Sequence, residues 1–109
     1  MQTPCLRQPA DKDPFRAFRA KLDEQRVPFG GNLALTYRCN LHCCHCYATG
    51  SAGGMELSTR QWKRLIDEFA EAGCLFLVVT GGEPLVRPDF GDVYSHAVER
   101  GILVTVFTN

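Results

Sequence analysis

From residue 58 onward, apolar residues first recur at helical spacing and then form a continuous run. Ser58 can cap a helix, and Gln61, three residues later, can complete a capping box with it. The buried stripe of this helix would consist of five side chains: Trp62, Leu65, Ile66, Phe69 and Ala70. Gly73 is a typical residue for the end of a helix. The pattern therefore predicts a helix with a defined start, apolar face and stop.

Three short apolar runs are typical of buried strands. They are NLALTY at residues 32–37, CLFLVVT at 74–80 and ILVTVFTN at 102–109. The second run shows no alternation, so we expect a parallel strand that is covered on both faces. A second helix would begin near Pro88 and end at Gly101. Its stripe would consist of Phe90, Val93, Tyr94, Ala97 and Val98.

This order of strands and helices predicts parallel βαβ units, hence an α/β fold. Three strands alone would leave apolar surface and a strand edge exposed. We therefore expect residues 32–109 to be the N-terminal part of a larger α/β barrel or sheet that is truncated after its third strand. We further predict that residues 1–31 form an N-terminal extension.

Residues 1–31 contain one candidate helix, between Pro14 and Pro28. Its apolar side would carry Phe15, Phe18 and Leu22. Gly30 and Gly31 would then form a flexible lead-in to the first strand. None of these residues suggests a site of chemistry.

Charge and hydropathy exclude some classes of function. Twelve basic and twelve acidic residues cancel, and the basic residues are not gathered into a patch, so nucleic acid is not indicated. There is no apolar run near the ~20 residues that span a bilayer, and no signal-peptide pattern. We therefore predict a cytoplasmic protein with no membrane segment. In a reducing compartment, clustered cysteines favour metal binding or redox chemistry over structural disulfides.

Four of the six cysteines lie within eight residues of the stretch YRCNLHCCHCYATG, residues 37–50. This stretch directly follows the first predicted strand, and the sequence GGEP directly follows the second. In α/β folds, sites form where loops leave the carboxyl ends of the strands. The two segments are therefore expected to lie together at one site.

Three kinds of site compete for these thiols. A zinc site could recruit His42 or His45 as an additional ligand, although a second, distant ligand pair is missing. A redox CxxC pair could use Cys43 and Cys46, which leaves Cys39 and GGEP unexplained. Alternatively, Cys39, Cys43 and Cys46 form a CxxxCxxC set of three thiolates that could hold three irons of a [4Fe–4S] cluster.

The stretches CNLHCCHC and TGGEP, in this order, resemble the CxxxCxxC and GGEP motifs of radical S-adenosylmethionine (SAM) enzymes. The resemblance covers residues 32–109 and implies part of a (β/α)6 TIM-like barrel. It implies that Cys39, Cys43 and Cys46 bind the cluster, and that SAM chelates its open iron. In this family an electron, supplied by a donor such as a flavodoxin or ferredoxin, cleaves SAM to a 5′-deoxyadenosyl radical, which abstracts a substrate hydrogen.

The resemblance also implies where SAM is held. The motif that receives its methionyl amino group corresponds to Gly81, Gly82, Glu83 and Pro84. Glu83 would offer a carboxylate near the ammonium. His45 stands where the family often has an aromatic residue near the adenine, and Asn109 could line the same cavity. No side chain is assigned a role as catalytic acid or base.

The remaining notable side chains have simpler interpretations. Cys44 matches no ligand position and is expected to pack or to face the loop. Cys5 and Cys74 are expected to have structural roles, His96 to lie at the surface or boundary, and Trp62 to lie in the core. The motifs resemble most the branch of the family that modifies peptides or haem- and quinone-type cofactors. We expect this chain by itself to turn over SAM poorly.

Overall fold

The computed structural model describes residues 13, 15–47 and 54–109, which form three helices and three strands. The helices are α1 (Arg16–Glu24), α2 (Thr59–Glu71) and α3 (Phe90–Glu99), and the strands are β1 (Gly30–Thr36), β2 (Phe76–Gly81) and β3 (Leu103–Val106). A short 3-10 turn at Pro84–Val86 separates β2 from α3. The three strands form one parallel sheet in the order β1-β2-β3. The predicted parallel βαβαβ arrangement is confirmed.

The start of α2 follows the prediction in detail. The Ser58 hydroxyl accepts a hydrogen bond from the Gln61 N–H at 3.3 Å, and the Gln61 side chain accepts one from the Ser58 N–H at 2.8 Å. Two reciprocal bonds thus satisfy N–H groups that a helix start otherwise leaves free. Trp62 and Ile66 are buried beneath the helix, and Gly73, with a φ of 96°, ends it. The predicted core role of Trp62 is confirmed.

The hydrophobic core lies between one face of the sheet and the helices α2 and α3. Successive side chains of a strand point to opposite faces, so alternate residues of β1 and β2 enter this core. The buried core residues are Leu33, Leu35, Trp62, Ile66, Cys74, Leu77, Val79, Val93, Ala97 and Ile102. These residues attach both helices to the same side of the sheet.

The opposite face of the sheet is open in the described part of the chain. Phe76 of β2 is 43% exposed and Leu103 of β3 is 64% exposed. The prediction that β2 is covered on both faces is therefore wrong for this chain, because both helices lie on the other side. Tyr94 and Val98 of α3 are also exposed rather than buried, since only Val93 and Ala97 point fully at the core.

The strand boundaries differ from the sequence-based ones. β1 begins at Gly30, because Gly30 and Gly31 pair with Phe76 and Leu77 of β2. The predicted flexible lead-in is thus wrong: pairing with a neighbouring strand overrides the low strand propensity of glycine. β2 starts at Phe76 and extends to Gly81, whereas 74–80 was predicted. β3 ends at Val106, three residues before the predicted end at 109.

Helix α1 lies against the amino-terminal end of the sheet through a chain of aromatic rings. The Phe18 ring packs edge-on against Phe29 at 5.5 Å, and Phe29 packs against Phe76 at 5.1 Å. Leu22 is half-buried, whereas Phe18 is 45% exposed and Phe15, just before the helix, is 63% exposed, so no residue of the predicted apolar side is fully buried. Pro14, the predicted helix start, lies outside the described residues. None of the helices described is long and apolar enough to cross a membrane.

Candidate functional site at the carboxyl ends of the strands

The loop that follows β1, residues 37–47, carries four cysteines and is called the cysteine loop; residues 81–84 at the end of β2 form the GGEP turn. The two segments are in direct backbone contact. The Gly82 N–H donates to the Thr36 carbonyl at 2.7 Å, and the Glu83 N–H donates to the Arg38 carbonyl at 2.9 Å. Arg38 directly precedes Cys39 in the chain. The structure therefore brings together the two segments that the sequence analysis expected at one site.

The two glycines of the turn are required by this close approach. Gly81 has a φ of 142°, and a Cβ atom there would overlap the Thr36 carbonyl oxygen. A Cβ atom on Gly82 would overlap the Arg38 carbonyl oxygen and lie 2.7 Å from that of Tyr37. The close backbone contacts at the base of the cysteine loop therefore require glycine at both positions.

The carboxylate of Glu83 is buried and ties the end of β3 to the turn. It accepts hydrogen bonds from the Leu85 N–H at 2.9 Å, the Thr108 hydroxyl at 2.8 Å and the Asn109 N–H at 2.8 Å. Burial alone would raise the pKa of Glu83, but the three hydrogen bonds outweigh it and lower the pKa. Glu83 is thus ionised and held, and Pro84 beside it is also buried.

Asn109 connects all three strand ends. Besides its backbone bond to Glu83, its side-chain amide donates to the Asn40 side chain at 3.0 Å and lies 3.7 Å from the Cys39 sulfur. The Cys39 sulfur also accepts the Leu41 N–H at 3.4 Å. Two N–H donors therefore point at this sulfur. Asn109 thus lies beside the cysteine loop, and its role in lining the SAM cavity stays a prediction.

The other cysteines of the loop differ in their exposure. Cys43 and Cys44 are exposed, like Cys39, and Cys46 is half-buried. A turn in which the Cys46 N–H donates to the Cys43 carbonyl at 3.2 Å brings these two residues together. Within residues 13, 15–47 and 54–109, no three Cys, His, Asp or Glu side chains converge closely enough to hold a metal ion. Cysteine thiolates are the usual ligands of iron–sulfur clusters, so the chemistry of these side chains fits such a cluster. The assignment of individual ligands stays a prediction.

Other candidate residues lie apart from these contacts. His42 and His45 are exposed on the cysteine loop. Cys74 is buried just before β2, where its thiol donates to the Phe76 carbonyl at 3.4 Å and burial raises its pKa, in keeping with an inert structural residue. His96 is half-buried, with its ring 2.8 Å from Asp67, as expected at a boundary. Cys5 lies outside the described residues.

A network of charged side chains at the base of the loop was not predicted from the sequence. Arg87 is buried and forms ion pairs with Asp89 at 2.6 Å and with Glu56 at 3.4 Å. Glu56 also accepts a hydrogen bond from the Thr36 hydroxyl and forms an ion pair with Arg38 at 3.3 Å. The only signal in the sequence is that Arg87 and Asp89 lie shortly after the GGEP motif, which says nothing about their burial.

Comparison with known proteins connects this geometry to a family. The family model described as the radical SAM superfamily matches residues 33–109. The PqqA peptide cyclase of Granulibacter bethesdensis is 39% identical over 84 residues, which are 75% of this chain and 22% of the cyclase. The mycofactocin maturase MftC of Mycobacterium tuberculosis is 43% identical over 76 residues, or 69% of this chain and 19% of the maturase. The AdoMet-dependent heme synthase of Methanosarcina barkeri is 42% identical over 77 residues, 69% of this chain and 22% of the synthase.

The chain spans about a fifth of the length of these curated relatives. Among solved structures, Streptococcus suis SuiB bound to S-adenosylmethionine shares the fold with a TM-score of 0.71 at 24% identity, covering 86% of this chain and 23% of SuiB. The fold is therefore α/β, with a parallel sheet that is consistent with part of a TIM-like barrel. With the family model matching most of its length and these relatives alongside, the chain belongs to the radical SAM superfamily.

Proposed function

We propose that this chain is part of a radical SAM enzyme in which Cys39, Cys43 and Cys46 hold a [4Fe–4S] cluster, with SAM at the open iron. When bound, these groups supply a 5′-deoxyadenosyl radical that removes a hydrogen atom from the substrate. One observation carries the proposal: the cysteines of one loop stand at the end of β1, with the backbone of the GGEP turn bonded to the loop's base. Three ligands leave one coordination position open for a cofactor, as a catalytic metal site needs.

The residues around the loop support this assignment. The side chain of Asn109 lies beside the Cys39 sulfur and links the end of β3 to the cysteine loop. The buried, ionised Glu83 holds the end of β3 beside the loop, and its charge favours a nearby ammonium group. The exposed ring of His45 directly precedes Cys46 and is proposed to lie near the adenine.

Substitution of single cysteines tests the ligand set. The purified chain is reconstituted anaerobically with iron and sulfide, and the EPR spectrum of the reduced protein is recorded with and without SAM. We expect a cluster signal that changes on adding SAM. Cys39→Ala, Cys43→Ala and Cys46→Ala should each abolish the signal and most of the bound iron. Cys44→Ala is the matched control from the same loop and should keep both.

The competing kinds of site give different results in this experiment. A protein that binds one equivalent of zinc but assembles no cluster would overturn the proposal in favour of a zinc module. A thiol oxidoreductase that uses Cys43 and Cys46 would keep disulfide exchange in Cys39→Ala. Under our proposal the same variant loses its cluster, so the two outcomes cannot be confused.

For the substrate, we propose a peptide or a haem- or quinone-type cofactor precursor. The support is that relatives at about 40% identity are named a peptide cyclase and a heme synthase. A flavodoxin or ferredoxin is the proposed electron donor, and the cytoplasm the proposed location. The substrate class is tested by adding either a synthetic precursor peptide or a porphyrin to the reduced protein with SAM. Because the chain by itself is expected to release 5′-deoxyadenosine slowly, the initial rate of release is compared: a faster rate with one of the two identifies the class, and the same rate with both as with neither contradicts the proposal.

A further inference from the structure

Arg87 is a buried cation with an acceptor for each of its side-chain nitrogens. Its side chain is only 6% exposed. Nε and Nη2 donate to the two oxygens of Asp89 at 2.8 and 2.6 Å, and Nη1 donates to the Leu35 carbonyl at 3.1 Å. Both Nη atoms also donate to the Leu57 carbonyl at 3.1 Å. The planar, five-donor guanidinium is the side chain suited to so many acceptors at once.

These acceptors lie on three different segments. Leu35 is in β1, four residues before Cys39; Leu57 precedes α2; and Asp89 stands at the start of α3. Arg87 itself follows the GGEP turn, and its N–H donates to the Pro84 carbonyl at 3.2 Å. One side chain thus connects the turn to the strand that leads into the cysteine loop.

Glu56 extends this connection to the base of the loop. Its carboxylate lies between Arg87, at 3.4 Å, and Arg38, at 3.3 Å, and it accepts the Thr36 hydroxyl hydrogen bond. The Thr36 hydroxyl oxygen in turn accepts the Arg38 N–H at 3.0 Å. The carbonyls of Thr36 and Arg38 are bonded on their other side by Gly82 and Glu83. The residues just before Cys39 are therefore held from two sides.

We propose that Arg87 is a positioning residue for the cofactor site: through Glu56 it fixes the base of the cysteine loop against the GGEP turn. None of the contacts of the Arg87 side chain described above is with a cysteine; it reaches the base of the loop through Glu56, which contacts Thr36 and Arg38. The expected effect on SAM binding rests on the proposed function, whereas the expected effect on the placement of the cysteine loop does not. Arg87 therefore controls how the loop is placed rather than which thiols bind iron.

The variant Arg87→Lys tests this proposal with the charge kept. One ammonium group cannot reach Asp89 and both carbonyls as the guanidinium does. The control is Arg64→Ala, which removes an exposed arginine of α2 whose partner is Glu68. A second variant, Glu56→Gln, weakens the link between Arg87 and Arg38 and leaves the bonds of Arg87 to Asp89 and the carbonyls.

The first readout is amide hydrogen exchange of the chain without any cofactor. In both network variants we expect the amides of Arg38, Gly82 and Glu83 to exchange about tenfold faster or more, while those in the centre of α2 are unchanged. Arg64→Ala should leave all of them at wild-type rates. Unchanged rates at Arg38 and Gly82, or an equal acceleration throughout α2, would overturn the proposal, since the second result means a general loss of stability.

The second readout is the EPR spectrum after reconstitution. We expect Arg87→Lys to bind wild-type amounts of iron but to need about tenfold more SAM for the spectral change, the factor that corresponds to one lost charge-assisted hydrogen bond. An unchanged SAM dependence would contradict the positioning role at the cofactor site. A wild-type chain that assembles no cluster defeats the proposed function instead, and the hydrogen-exchange result still decides whether Arg87 positions the loop.

Discussion

At the scale of single residues, the site depends on contacts that tolerate no extra atom and on charges that are almost fully paired. Gly81 and Gly82 lie against carbonyl oxygens of the cysteine loop, and Glu83 and Asp89 are carboxylates held by several hydrogen bonds. Both features can be tested by conservative changes, because the chain offers a comparable residue outside the site for each.

Gly82→Ala should destabilise the chain by about 2 kcal/mol or more, since its Cβ would overlap the Arg38 carbonyl oxygen and force the turn away from the loop. Gly91→Ala is the control: a Cβ at Gly91 meets nothing within 4 Å, and alanine should stabilise α3 by about 0.5–1 kcal/mol. Urea unfolding followed by the fluorescence of the single tryptophan measures both. Equal stability of the two variants would contradict the close contact.

Asp89 should make the stability of the chain sensitive to acid. Its hydrogen bonds with Arg87 are the main cause that lowers its pKa from 3.8 to about 2, against burial and with help from Thr59. A carboxylate whose pKa is lower in the folded state stabilises the fold above its unfolded pKa, and this contribution is lost as pH falls from about 4 to 2. It amounts to about 2 kcal/mol.

In urea unfolding at pH 5 and pH 2, Asp89→Asn should therefore lose less unfolding free energy between the two pH values than the wild type does. Asp92→Asn removes the same charge from the exposed side of α3 without touching Arg87, and it should keep the wild-type slope. If Asp89→Asn keeps that slope too, the ion pair with Arg87 does not contribute as described.

At the scale of secondary structure, α2 is the element that local sequence determines most completely. Its capping box, its buried stripe and its terminal glycine were all visible in the sequence, because each depends on residues within a turn or two. The edges of the strands were not visible in the same way. Gly30 and Gly31 belong to β1 only because β2 lies beside them, and pairing between distant segments is not encoded in local propensity.

The capping box gives a direct test of this local control. Ser58→Ala removes the acceptor of the Gln61 N–H and should cost about 1 kcal/mol of unfolding free energy. Ser95→Ala, on the exposed surface within α3, is the matched control and should have an effect close to zero or slightly stabilising. Thermal unfolding by circular dichroism measures both variants. Equal melting temperatures would mean that the cap contributes nothing.

The site was predictable in part, for a related reason. The cysteine spacing and the GGEP motif are contiguous in sequence, and the rule that sites form at the carboxyl ends of parallel strands placed them together. The partners of Glu83, by contrast, come from the end of β3, and those of Arg87 come from β1 and from the approach to α2. Side-chain contacts across such separations follow from packing, so the sequence alone indicated neither these contacts of Glu83 nor the burial of Arg87.

At the scale of the whole molecule, helices α2 and α3 cover one face of the sheet, and the cysteine loop stands at the carboxyl ends of the strands. Radical chemistry needs a closed site, because exclusion of water protects a reactive intermediate. The chain has the two motifs that the proposed function requires. On the other face of the sheet, Phe76 and Leu103 remain partly exposed in the described part of the chain.

We therefore expect the reconstituted chain to form a cluster but to release 5′-deoxyadenosine slowly, with at most about one turnover. Liquid chromatography of the product after reduction with dithionite in the presence of SAM measures this. The background is set by the Cys39→Ala variant, which should release none. Many turnovers by the chain would mean that three strands suffice to enclose the reaction.

The bond between the Asn109 and Asn40 side chains joins residues that are 69 positions apart in sequence. Contacts of such separation are slow to form, because the entropy of closing the intervening chain must be lost before the contact can compensate for it. Because Asn109 follows β3, we expect its contact with the cysteine loop to form after β3 has paired with β2. During synthesis, the thiols leave the ribosome before Asn109 does, so they are exposed for a time without this contact.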